Sequence, residues 1–183
     1  QSARLYASAG VLGIETEKPH FDDGRNAAFQ ARVRGGSFGM VSPSLRWWQK
    51  LGGRTRVAVD AGYMRADGNY PFTLVNGKYV TEEKRNNSGI YSWQGEATLY
   101  HTFKDGGELD VKGYYFYSRR GLPGAVTLYN PLSDETLWDE NTFVQARYRK
   151  HFSPQWSLQA QAKYNHGWNK YKDEGKEYTD GYY

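Results

Sequence analysis

Cysteine is absent from the 183 residues, which excludes a disulfide framework, a thiolate metal site and a cysteine nucleophile. No apolar run approaches the ~18 residues that a membrane-crossing helix needs, and no segment has the pattern of a signal peptide. Barrels stay open, because they cross membranes with short alternating strands that hydropathy windows miss. Charge of one sign is scarce too. The 24 Lys and Arg exceed the 20 Asp and Glu by only +4, and they are spread along the chain where a nucleic-acid surface would cluster them. Catalytic signatures are missing: there is no Gly-x-Ser-x-Gly, phosphate loop or dinucleotide fingerprint. His20, His101, His151 and His166 are isolated, without zinc-motif spacing, and read as solvated or rim histidines. Neither an enzyme nor a nucleic-acid binder is expected.

What is plentiful is aromatic. Tyr 16, Trp 6 and Phe 8 make 16% of the chain, yet mean hydropathy is −0.85. A soluble core holding so many rings would carry more Leu, Ile and Val around them. A sheet with one apolar and one wet face accounts for both values, since half of each strand is then free to be polar.

Alternation at period two runs from about residue 25 onward, and helical spacing is hard to find. It predicts seven strands, over about 26–35, 41–51, 55–66, 90–103, 108–118, 142–152 and 156–170. In the fourth, Tyr91, Trp93, Gly95, Ala97 and Leu99 alternate with Ser92, Gln94, Glu96 and Thr98. Tight turns are expected at 52–53, 104–107 and 153–155, and long polar loops at 67–88 and 119–141. The reversal at 35–39 is a short connection on the long-loop side, and the polar tail from Tyr171 is expected to enter another loop.

Strands this long, with short turns at one rim and long loops at the other, fit an antiparallel transmembrane β-barrel. Tyr63, Tyr91, Trp93, Tyr115, Tyr117, Tyr164 and Trp168 stand towards strand ends, where an interfacial girdle would place them. They would otherwise fill a soluble sandwich, but the many Ala and Gly residues on the apolar side fill a core poorly. Bacterial single-chain barrels use even strand numbers from eight upward, so seven strands, and a chain that opens on Gln1, lead to the expectation of an incomplete piece.

The segment Leu5-Tyr6-Ala7-Ser8-Ala9-Gly10-Val11-Leu12-Gly13-Ile14-Glu15-Thr16-Glu17-Lys18-Pro19 resembles the end of the plug domain in TonB-dependent receptors. Ile14, Thr16, Lys18 and Pro19 match the Ile-x-Thr-x-Lys-Pro ending that precedes the barrel, with Gly13 where Asn is common. The likeness continues in order through Gly36-Ser37-Phe38-Gly39, Gln49-Lys50-Leu51-Gly52-Gly53, Asp67-Gly68-Asn69-Tyr70-Pro71-Phe72 and Arg120-Gly121-Leu122-Pro123-Gly124. It is greatest for the vitamin B12 (cobalamin) transporters, and siderophore receptors share much of it. The resemblance implies a 22-stranded barrel in the outer membrane of a Gram-negative bacterium. Residues 1–21 would be the C-terminal end of the plug and 22–183 the first barrel strands. Implied partners are outer-membrane lipid, a small nutrient, the TonB complex acting through a region outside this sequence, and a surface lipoprotein. The competing reading is a small structural or adhesive outer-membrane barrel. It predicts a closed eight-stranded unit and leaves the plug-like start unexplained.

Tyr70, Phe72, Tyr79, Tyr129 and Trp138 in the long loops are the candidate substrate contacts, because a large amphipathic ligand needs flat apolar surface on a rigid scaffold. Asp134, Glu135, Asp139 and Glu140 form either a hydrated acidic loop or a calcium site; no other cofactor is expected. Inward Arg32, Arg56 and Arg147 would favour anions in a lumen or pair with plug carboxylates, and pairing is the favoured reading.

Overall fold

A computed structural model describes residues 24–124, 133–173 and 176–182. The expected plug-exit segment at 1–21, and Tyr129, lie outside these described residues. Among them about three quarters are strand and none is helix. The strands are β1 (Ala27–Gly36), β2 (Met40–Lys50), β3 (Thr55–Ala66), β4 (Pro71–Asn76), β5 (Tyr79–Lys84), β6 (Ile90–Thr102), β7 (Glu108–Gly121), β8 (Thr136–His151), β9 (Ser157–Asp173) and β10 (Lys176–Tyr182). Eight form one sheet in the order β1-β2-β3-β6-β7-β8-β9-β10, with every neighbouring pair antiparallel. β4 and β5 make a separate two-stranded sheet. The protein is all-β, as its period-two alternation requires.

Strand pairing goes further than the seven expected strands in three places. Residues 67–88, expected as plain loop, contain the β4–β5 hairpin. Its two-residue loop, Gly77-Lys78, carries Gly77 at φ 59° in the first position, where a II′ turn requires positive φ. β8 starts at Thr136, not near residue 142, because its charged beginning finds partners on β7. There Arg120 and Asp139 pair at 3.2 Å, and the Arg119 guanidinium lies 5.5 Å from the Trp138 ring centre. The polar tail is not loop either: β10 pairs with β9 from Lys176↔Asp173 to Tyr182↔Gly167, since main-chain pairing does not need apolar side chains.

β1 and β10 each have one neighbour among the described strands, so the eight-stranded sheet is open. A closed eight-stranded unit is not what these strands form. The connections sort by rim as expected. Residues 51–54, 103–107 and 152–156 turn at one end, while 37–39, 67–89 and 122–135 connect at the other. At the long-loop rim the Asp67 amide donates to the Phe38 carbonyl at 2.9 Å, tying the β1–β2 turn to the start of the long connection. Gly39 (φ 70°) and Gly68 (φ 65°) both hold conformations that disfavour a Cβ. A Cβ at Gly68 would also strike the Ser88 carbonyl.

The burial pattern is inverted relative to a soluble domain. Only Ala58 and Tyr100 are buried hydrophobics among the described residues, whereas Thr98, Asp110 and Ser118 are buried polar groups. All five stand on the sheet's polar face. Large apolar side chains are exposed on the opposite face, for example Phe29 at 66%, Val33 at 72% and Tyr164 at 59%.

Two outcomes follow from the rims. Gly68→Ala lowers stability by about 1–3 kcal/mol, measured by denaturant unfolding, because it adds both φ strain and a backbone clash. Asp105, in the β6–β7 turn, is held below the usual aspartate value by hydrogen bonding to Lys150 and then by the Gly107 amide, which donates to it at 3.1 Å. The turn is therefore fully held above the ordinary aspartate range and is released as pH falls through the depressed value. The Gly107 amide resonance should titrate below the normal aspartate midpoint, and Lys150→Ala should move that midpoint upward.

Candidate functional site: two faces and a loop rim

Register places every second residue of each strand on one face, and over seven strands the middle of that face is apolar. Phe29, Trp47, Val59, Ala97, Gly113, Val144 and Tyr164 stand in one cross-strand row over seven strands, without a polar side chain. The next row towards the short turns reads Ala27, Gln49, Val57, Leu99, Val111, Ala146 and Ala162. From Leu99 to Tyr91 the band covers eight residue steps, about 27 Å of strand at ~3.4 Å per residue. Rings border it on the long-loop side, where Tyr63 and Trp93 meet edge-to-face at 5.0 Å and Trp93 is paired with Tyr117. Adjacent Trp47 and Trp48 fall on opposite faces because the strand period is two. Trp47 joins the apolar band, and Trp48 lies under the Arg46 guanidinium at 5.5 Å.

The other face carries cross-strand ion pairs. Arg46 pairs with Asp60, Lys112 with Glu96 at 2.8 Å, Arg147 with Asp110 at 2.7 Å, and Arg149 with Glu108 at 2.9 Å. Tyr114 stacks on Phe143 at 5.0 Å, and the Lys163 ammonium sits 4.4 Å from the centre of that second ring. A cavity of about 450 Å³ on this face is lined by Arg32, Arg46, Asp60, Gln94 and Glu96 among others. Such a wall suits water or a polar filling. The pairing expected for Arg147 is real, but its partner is Asp110 within the sheet, not a plug carboxylate; the two are directly opposite in register.

At the long-loop rim two side chains fasten the connections together. The Asn87 amide nitrogen donates to the carbonyls of Leu122 (3.1 Å) and Glu135 (2.7 Å). Arg85 donates to the carbonyls of Pro123 (3.2 Å) and Gly124 (3.0 Å). Asn87 adopts φ 48°, a conformation Asn tolerates better than most residues. Sequence reading missed this lock; a polar Arg-Asn pair before a strand resembles any loop until the two connections meet.

The candidate ligand contacts separate. Tyr70 packs edge-on against Phe38 at 5.9 Å, Phe72 lies in β4 opposite Glu83, and Tyr79 opens β5 with 77% of its surface exposed. These three belong to one connection. Trp138, expected in a loop, lies instead on β8, between Arg119 and Lys170 in register, because strand pairing extends that far. The four carboxylates also part. Asp134 and Glu135 precede β8, while Asp139 and Glu140 point to opposite faces of it. Asp139 is engaged by Arg120 and by the Asn169 amide. Among the described residues no three His, Cys, Asp or Glu side chains gather in a metal-binding arrangement. His101 bonds Thr55 Oγ1 at 2.8 Å.

A scan against protein-family models finds no match, and a search of curated proteins finds no similar sequence.

Two variants separate the lock from the wall. Asn87→Ala removes two hydrogen bonds, while the Leu122 carbonyl keeps its bond from Ser133 Oγ and the Glu135 carbonyl its bond from the Leu122 amide, so the cost in denaturant unfolding is about 1–2 kcal/mol. Arg147→Ala leaves the buried Asp110 carboxylate with its weaker neighbour Arg149, at 3.7 Å, and costs about 2–4 kcal/mol in denaturant unfolding.

Proposed function

We propose that this chain forms part of the wall of a transmembrane β-barrel in a bacterial outer membrane, belonging to a TonB-dependent receptor that imports a scarce nutrient. The observation that carries the reading is the inverted sheet, with a broad exposed apolar band on one face and ion pairs on the other. In water such a band is a liability far beyond the few hundred Å² a soluble monomer exposes. Against hydrocarbon it is the required surface, and the paired charges then line the interior. Aromatic residues at the long-loop border suit a membrane interface.

The open edges of β1 and β10 favour a larger barrel over a closed eight-stranded adhesive unit, because an unpaired strand edge is costly in lipid. The ordered likeness from Ile14 to Gly124 points towards the TonB-dependent receptors, and a corrinoid is the substrate class proposed, with an iron siderophore second. Tyr70, Phe72 and Tyr79, gathered on one connection at the long-loop rim, are the proposed ligand contacts. The role is transport, with chemistry left to other proteins.

Intact mass and heat-modifiable gel mobility of the source protein from outer membranes test the architecture. A folded barrel several times larger than 21.0 kDa is expected, and a closed barrel near that mass would favour the adhesive reading. Ala97, in the middle of the apolar band, supplies a sharper test. Ala97→Arg should cost about 2–4 kcal/mol on refolding into bilayers, as charge does at the bilayer midplane. Gln161→Glu, a charge on the polar face directly opposite Arg147 in register, should cost less than about 0.5 kcal/mol. Equal small effects at both positions would remove the membrane reading.

A further inference from the structure

Where the apolar band meets the long-loop rim, the register sets Arg65, Tyr91, Arg119, Trp138 and Lys170 in one row over five neighbouring strands. Cations occupy alternate strands, with a ring between each. Directly below this row the band is not flat. An apolar groove of about 760 Å³ runs over the small residues Ala61 and Gly95, with Leu45, Trp93, Tyr115 and Tyr117 around it. A second cavity of about 430 Å³ lies on the rim side and is lined by Arg65, Tyr91 and Arg119. Tyr63 lines both, so the two are adjacent.

We infer that this pair of cavities is a binding site for one anionic phospholipid, its acyl chain along the groove and its headgroup phosphate at Arg65 and Arg119. The inference rests on the barrel-wall reading and adds to it a specific occupant. Shape and charge both select this class. The groove gives a long hydrocarbon chain apolar walls, and a Cβ at Gly95 would meet nothing within 4 Å, so the floor is open. Guanidinium groups present fixed N–H forks that match phosphate, and both arginines are exposed at the rim.

The local carboxylates leave room for an anion. Asp67 lies 3.4 Å from one Arg65 nitrogen, with the Arg65 side chain still 66% exposed. Glu140 shares the face but pairs in register with Tyr117 and Trp168, one row inward. Arg119 faces the Trp138 ring, an arrangement that leaves its N–H edge available. A zwitterionic lipid would fill the groove equally well but would bring a cationic group to the arginine row. A free anion would gain nothing from the groove.

The site is tested on the intact protein reconstituted into vesicles of dibrominated phosphatidylglycerol or dibrominated phosphatidylcholine. The readout is the part of tryptophan quenching that disappears in Trp93→Phe. The expected result is a preference for the anionic lipid at Trp93 of at least roughly tenfold, up to the about thirtyfold that two arginines at ~1 kcal/mol each would give near a membrane surface. Arg65→Ala with Arg119→Ala should bring that preference close to one while quenching by both lipids persists. Gly95→Leu, which fills the groove from an open position, should weaken Trp93 quenching by both lipids. Equal quenching by the two lipids in the unsubstituted protein overturns the anionic-phospholipid site and leaves the barrel wall standing. No quenching of Trp93 by either lipid overturns both.

Discussion

Every amide and carbonyl in a strand needs a partner, and here the antiparallel main-chain ladder has to supply those partners to a sheet whose exposed side is apolar. A helix would close its own hydrogen bonds, but the alternating sequence cannot support one. The sheet closes them between strands, over pairings as long as Thr136↔Lys172 to His151↔Ser157. That one requirement explains why β8 and β9 are long, why polar β10 is recruited, and why the charged start of β8 is strand and not loop. It also fixes which side chains share a face, since a slip by one residue would exchange the apolar band with the ion pairs.

With register fixed, the two faces divide the remaining work. On the polar face Asp110 is buried, and it is tolerable there because Arg147 stands opposite it and Arg149 beside it. Exposed ion pairs such as Arg120–Asp139 add little to stability, and their value is in holding polar strand ends in the sheet. On the apolar face small residues alternate with rings, so the surface has relief. Gly95 and Ala61 make a groove where Leu or Val would have made a flat wall. The long-loop rim is organised by Asn87 and Arg85, which bind main-chain carbonyls of the neighbouring connection and hold the two together. On the proposed reading this rim faces outward and offers Tyr70, Phe72 and Tyr79 to a ligand above the barrel wall.

Much of this architecture could be read in the chain. The ends of β1, β2, β3 and β6 all fall within one residue of expectation, where turn glycines such as Gly52-Gly53 and clear alternation punctuate the pattern. Alternation failed where polar residues sit in strands. Asp139, Glu140 and Asn141 looked like loop because nothing local shows that β7 extends to Gly121 beside them. The β4–β5 hairpin carried its signal in Asn76-Gly77, but its flanking strands are too short and polar for periodicity to separate them from the surrounding loop. Among the candidate ligand residues, the aromatic group on 67–88 stays together. Trp138 does not join it, because its strand turns it to the rim of the apolar face.

The sequence by itself determined the secondary structure and the chemistry of each face, because period-two alternation and turn glycines act over a few residues. Only the tertiary structure decided which cations and rings share a row, which carboxylates part company, and where a groove opens. Those facts depend on register between strands tens of residues apart: Arg65 meets Tyr91, Tyr91 meets Arg119, and Arg119 meets Trp138 only once four strands have paired. No local propensity encodes that meeting, since main-chain pairing is the same at every register and the choice among registers is made by the side chains of the whole sheet together.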